Sequence, residues 1–137
     1  MRLSTAATPR VIACSEEIDG CILLPRGCQE ALAGLLTEHG VHAVFEDVRG
    51  TGTPMDLHFH GELTASQQRA VTALLAHDIG VFVAPPGSGK TVVGCRLIAA
   101  RRTSTLVLVH RSPLVDQWRA QMALFLGVDV KEIGQVG

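Results

Sequence analysis

Apolar residues along the chain fall into two rhythms. "ALAGLLTEHG" has apolar positions at 31, 32, 35 and 36, the spacing of one helical face, and closes with Gly40 as a C-cap. "ASQQRAVTALLAHD" repeats the pattern through Val71, Leu74 and Leu75, preceded by Thr64 and Gln67 in the capping-box order S/T-x-x-E/Q, so a helix is expected from about Thr64. Residues 90–100 are apolar on several sides, as in a helix covered by more than one neighbour. "SPLVDQWRAQMALFLG" has Ser112 as N-cap, Pro113 at the first helical position, Val115, Trp118, Met122 and Phe125 on one face, and Gly127 as stop.

Shorter apolar runs predict strands. They are "RVIAC" (10–14), "CILLP" (21–25) across the polar turn "SEEIDG", "VHAVFEDV" (41–48), "GVFVA" (80–84) and "STLVLVH" (104–110). The last is apolar without alternation, as expected of a parallel strand buried on both faces, and a further strand is expected near Glu132. Strand and helix alternate through the second half, which predicts an α/β fold with a parallel sheet and right-handed crossovers, preceded by a small α/β module.

Charge adds a boundary. Residues 1–61 carry four basic against eight acidic residues, net −4, whereas residues 62–137 carry eight against five, net +3. Two units meeting near Gly61 are therefore expected, 1–61 and 62–137. No apolar run approaches the roughly 20 residues that span a bilayer, so no membrane partner and a cytoplasmic location are expected. The cysteines at 14, 21, 28 and 95 show no C-x-x-C spacing, which points to free thiols. His58 and His60 share one side of an extended segment but have no third ligand at a telling spacing, so they read as solvated or hydrogen-bonded. Trp118, on an apolar helical face, reads as core rather than as a base-stacking platform.

The chemistry is concentrated in "VFVAPPGSGKTVVG". A polyphosphate is held most simply by a ring of backbone N–H groups, which requires residues without Cβ where the chain bends around an oxygen. Gly87 and Gly89 supply them, and a helix starting near Lys90 adds its N-terminal partial charge and unpaired amides. The pattern is G-x-x-x-x-G-K-[ST] with Ala84 for the first Gly. Lys90 is placed to reach the β and γ phosphates and Thr91 to ligate Mg²⁺. Residues Ala84, Pro85, Pro86, Gly87, Ser88, Gly89, Lys90 and Thr91 are thus the candidate site for ATP and Mg²⁺, with an ordinary strand-to-helix turn as the alternative.

"APPGSGKT" resembles motif I of the superfamily-two helicases. "LTASQQRAV" resembles the "L-R-P-Y-Q" element ahead of it, whose Gln recognises adenine, here Gln67; Ala65 and Ser66 stand where Pro and an aromatic residue are usual. "LVLVHRSPLVDQW" resembles motif Ia of the restriction-endonuclease and excision-repair branch of these DEAD/DEAH-type ATPases, which lies along the DNA backbone. The resemblance covers residues 62–137. It implies a RecA-like domain, catalytic roles for Lys90 and Thr91, and DNA contacts by His110, Arg111, Ser112 and Gln117. Taken as residues alone, Ser112 is equally a helix cap, Arg111 a solvated loop residue and Gln67 a capping-box partner.

This family also uses a D-E-x-[HD] box to hold Mg²⁺ and position water, and a second RecA-like domain. The chain contains no such box, so it reads as the front end of a longer protein. On its own it is expected to bind nucleotide without useful turnover, and to self-associate through an uncovered sheet edge. A different P-loop enzyme and a binding module with a vestigial loop remain open alternatives.

Overall fold

A computed structural model describes residues 13–136. Within them the chain divides into two compact units, the first ending at Asp47 and the second beginning at Val48, upstream of the Gly61 boundary drawn from charge.

In the first unit, β1 (Glu16–Ile18) and β2 (Cys21–Leu23) form an antiparallel hairpin in which Glu16 faces Leu23 and Ile18 faces Cys21. Asp19 and Gly20 make the turn with φ of 51° and 77°. Positive φ at both central residues matches the right-handed twist of a two-residue hairpin, and Asp-Gly is a preferred pair there. The first strand therefore lies inside "SEEIDG", where the sequence predicts a turn. Residues 10–12 of "RVIAC" lie outside the described residues, and Ala13 and Cys14 are not in a strand. A 3₁₀ turn (Arg26–Cys28) leads into α1 (Gln29–Glu38), which ends at Gly40 with φ 69°. The expected strand at 41–48 does not form. Its apolar residues face solvent, Val44 at 93% exposure, and no described residue of this unit is buried.

The second unit is built on three helices: α2 (Ala65–Leu75), α3 (Lys90–Arg101) and α4 (Ser112–Leu126). The central α3 packs against both α2 and α4, which explains its apolar residues on several sides. Val93, Cys95, Ile98 and Ala99 of α3 are buried, and Leu57, Leu126 and the partly buried Trp118, Met122 and Phe125 complete the core. Trp118 is thus a packing residue. Burial raises the Cys95 thiol from 9.0 to about 11, so it stays protonated and inert at neutral pH. All four cysteines are free.

α4 begins one residue earlier than expected. Arg111, with extended φ −148° and ψ 138°, is the N-cap, Ser112 is the first helical residue, and no side chain caps the helix. Pro113 still lies in the first turn, and Gly127 closes the helix with φ 66°. In place of a strand near Glu132 there is a 3₁₀ turn (Val130–Glu132), begun by the Asp129 carboxylate accepting from the Lys131 amide at 2.9 Å.

Segments 80–84 and 104–110 are not paired with each other, and no parallel sheet occurs among the described residues. Exposure nevertheless alternates along them. Val81 and Val83 are open while Phe82 and Ala84 are half-covered; Leu106 and Leu108 are open while Val107 and Val109 are half-covered. This is the period of an extended chain with one face on the helices, so 104–110 is covered on one face rather than two. Segment 53–60 also belongs here. The Met55 amide donates to the Arg102 carbonyl at 2.9 Å, the Ser104 amide to Thr53 at 2.8 Å, and the His60 amide to Phe125 at 2.7 Å. Leu57 and Phe59 turn inward while His58 and His60 stay exposed, with His58 3.3 Å from Asp56.

Close packing of α3 on α4 depends on Gly94, where an added Cβ would lie 2.5 Å from the Trp118 ring. Gly94→Ala is expected to destabilise by about 1–3 kcal/mol through overpacking, although alanine is the better helix former. Gly34→Ala on the open side of α1, where a Cβ meets nothing, is expected to be neutral or stabilising. Urea unfolding of both variants checks this, and a stabilised Gly94→Ala would contradict the packing.

Candidate functional site

The loop from Ala84 to Thr91 follows from its residue order. The Ser88 amide donates to the Pro85 carbonyl at 3.3 Å, closing a turn with Pro86 and Gly87 at its centre. Proline presets the first central φ, and Gly87 supplies the second at 78°, the combination that a type II turn requires. Gly89 then stands as N-cap of α3 in a left-handed conformation, φ 79° and ψ 35°. Left-handed residues alternating along a short loop create backbone concavities that receive anions.

Three features leave this loop open to an anion. The amides of Lys90, Thr91 and Val92 find no acceptor among the described residues, as expected of a first helical turn. The Ser88 hydroxyl is buried without a hydrogen-bond partner, a condition that native structures relieve with water or a ligand. The Thr91 hydroxyl makes no hydrogen bond to another described group. A triphosphate with a hard cation fits this donor set: backbone N–H groups and one ammonium for the phosphates, one hydroxyl oxygen for the metal.

Lys90 and Gln67 both brace the loop through its carbonyls. The Lys90 ammonium donates to the carbonyls of Ala84 and Pro85, both at 2.8 Å, and keeps its third donor free. Gln67 completes the expected capping box: the Thr64 amide donates to its Oε1 at 3.0 Å, and its own amide donates to Thr64 Oγ1 at 3.3 Å. Its Nε2 also donates to the Ser88 carbonyl at 3.0 Å, a link that sequence spacing alone did not reveal. One glutamine therefore joins the start of α2 to the loop. It retains a second N–H and a second lone pair for other partners.

His110, Arg111 and Ser112 come together, all exposed, where segment 104–110 meets α4. Their side chains have no hydrogen-bond partners among the described residues. Gln117 is also exposed, but it lies about 140° around the helix from Ser112, so the fold gathers the first three and sets the fourth apart. No cluster of three His, Cys, Asp or Glu suited to a metal occurs among the described residues. No helix among them is long and apolar enough to cross a membrane.

The chain that carries this glycine-turned loop at the head of a helix is of the superfamily-two helicase type, as its relatives show. The family model described as "Type III restriction enzyme, res subunit" matches residues 60–137, more than half of the chain, and the chain belongs to that family. Among its relatives, it is 35% identical over 85 residues to "Putative DNA 3'-5' helicase Rad25" of Haloarcula marismortui, 62% of this chain and 14% of that one. It is 34% identical over 89 residues to "DNA 3'-5' helicase XPB" of Mycobacterium tuberculosis, covering 64% and 16%. With "DNA 3'-5' translocase XPB2" of Sulfurisphaera tokodaii it shares 34% identity over 73 residues, 53% and 17%. The matched stretch is thus about a sixth of these proteins or less.

Two glycines of the loop differ in their surroundings. A Cβ at Gly89 would collide with the Gln67 amide nitrogen, whereas one at Gly87 meets nothing within 4 Å. Alanine at either position incurs the left-handed penalty of about 1–2 kcal/mol. Gly89→Ala is expected to cost measurably more, because it also breaks the bond from Gln67 to Ser88. Chemical unfolding of the two variants measures the difference, and equal losses would show that the Gln67 contact contributes nothing.

Proposed function

We propose that residues 62–137 form part of the RecA-like ATP-binding domain of a DNA helicase or translocase, and that the loop Ala84–Thr91 holds the triphosphate of MgATP. The loop geometry carries this reading: left-handed Gly87 and Gly89, an orphaned Ser88 hydroxyl and three free amides at the head of α3, in a chain that belongs to a helicase family.

In this reading the backbone amides and the positive end of α3 receive phosphate oxygens. Lys90 exchanges the carbonyls of Ala84 and Pro85 for β- and γ-phosphate oxygens, so the ammonium that stiffens the free loop becomes its main charge for the ligand. Pro85 and Pro86 hold the turn in shape. Thr91 would hold the magnesium ion, which when bound offsets phosphate charge. Gln67, already bonded to Ser88, lies on the adenine side.

His110, Arg111, Ser112 and Gln117 contact the DNA backbone, Arg111 through charge and the helix start through its amides. Segments 80–84 and 104–110 serve as parallel strands of the RecA-like sheet, and within residues 1–61 the first unit, ending at Asp47, forms an accessory module. The sequence contains no D-E-x-[HD] box, so hydrolysis and movement along DNA draw on groups outside these 137 residues, and the chain alone binds nucleotide without useful turnover.

MgATP at a hundred times its dissociation constant is expected to stabilise the chain by about 2.7 kcal/mol, and Lys90→Ala to abolish most of that gain. Thermal unfolding with and without nucleotide measures it. An equal shift in wild type and variant would overturn the assignment of the loop.

A further inference from the structure

Segment 53–60 is bonded to the C-terminal ends of α3 and α4, and its two halves are held differently. Leu57 is buried in the core and Phe59 is half-covered, and the His60 amide donates to the Phe125 carbonyl. Residues 51–56 are instead exposed, and what holds them is the end of α3. The Met55 amide donates to the Arg102 carbonyl at 2.9 Å, the Ser104 amide to the Thr53 carbonyl at 2.8 Å, and the Thr53 amide to Ser104 Oγ at 3.0 Å. Pro54 and Thr103 form an antiparallel bridge, and the Arg102 guanidinium donates to the Asp56 carboxylate. Gly52, with φ 73°, permits this approach, since a Cβ there would lie 3.2 Å from Ser104 Oγ.

Arg102 is the anomaly in this clasp. It closes α3 in the left-handed conformation, φ 52° and ψ 38°, which a residue with a Cβ adopts only at a cost. At the ends of α1 and α4 the left-handed residues are Gly40 and Gly127. An arginine in place of glycine accepts backbone strain in return for a side chain, and here that side chain grips Asp56. Strain of this kind collects at switch regions, and it sets two states against each other. Closed, the exposed bonds hold Arg102 left-handed. Open, those bonds pass to water and the strain is relieved. The two sides are close in size, because an exposed ion pair contributes little.

α3 is one 12-residue helix with this clasp at one end and Lys90 at the other. The phosphate loop hangs between the start of α3 and Gln67 on α2, so its shape depends on where α3 sits. The helix is seated at its middle by the Gly94–Trp118 contact and at its end by the clasp. We infer that Gly52–Asp56 and Arg102 form a latch, and that the closed latch favours the phosphate-holding form of the loop. Nucleotide and latch then bias each other to the same extent. The latch lies on the stretch of chain that leads from the first unit into the second, so a pull on that stretch acts on nucleotide binding. The inference rests on the phosphate-binding reading of the loop.

Site-resolved hydrogen exchange and calorimetric titration of the full chain test it. Saturating MgATP is expected to slow the Met55 and Ser104 amides about fivefold, although both lie at the end of α3 opposite the loop. Asp56→Ala and Arg102→Gly should each speed those amides about threefold in the free chain and weaken MgATP about twofold. Arg102→Gly separates a latch from a merely structural arginine. Glycine relieves the left-handed strain, so stability against urea should equal or exceed that of wild type, and a structural role predicts that result with MgATP affinity unchanged. Loop amides that slow with MgATP while Met55 and Ser104 do not, or a folded Arg102→Gly chain that binds MgATP as tightly as wild type, would overturn the latch and leave the loop reading standing. A wild type that binds no MgATP would overturn the loop reading, and the latch with it.

Discussion

Gln67 has one short side chain and three polar partners, and the arrangement of the site follows from that economy. Its carbonyl oxygen and backbone amide close the capping box with Thr64, and its remaining nitrogen holds the Ser88 carbonyl. Helix start and loop are thereby fixed to each other across a gap of 21 residues in sequence. The bond requires close approach, which Gly89 allows by having no Cβ. The left-handed turn at that glycine then aims α3 away from the loop and leaves the first amides of the helix without acceptors. Removing one interaction therefore loosens the cap, the loop and the helix start together.

Helices were legible in the sequence because each carries its own instructions. Apolar spacing, the Thr64–Gln67 box, Pro113 in a first turn, and Gly40 and Gly127 as left-handed stops are local, and each acts where it was read. Strands were less legible because a strand is completed by a partner elsewhere. Runs such as 41–48 and 104–110 have the composition of strands but form no ladder among the described residues, the second only starting at the isolated bridge between Pro54 and Thr103. The hairpin was misplaced for a related reason: two glutamates suggested a turn, whereas the Asp19–Gly20 pair fixes the turn and makes Glu16–Ile18 a strand. Ser112 looked like a cap by type, yet the backbone becomes helical at Ser112 itself.

The same contrast holds at the site. Residues 84–91 form a contiguous loop, so its turn and its glycines could be anticipated from spacing alone. The bond from Gln67 to Ser88 joins two separate segments, and no spacing reveals it. Segment 53–60 carried a signal in the alternation of "LHFHG", which puts His58 and His60 on one side and therefore Leu57 and Phe59 on the other. Read for its apolar half, it marks an extended segment laid on the helices, with Leu57 in the core.

The central claim is that the free amides at the head of α3 and the concavity before them exist to hold phosphate. Site-resolved amide hydrogen exchange tests it directly, since these groups have no acceptor among the described residues and should exchange quickly when free. With saturating MgATP, the amides of Gly89, Lys90, Thr91 and Val92 are expected to slow markedly, more than those in the middle of α2 or α4. Unchanged exchange at these four positions, with nucleotide demonstrably bound, would contradict the account.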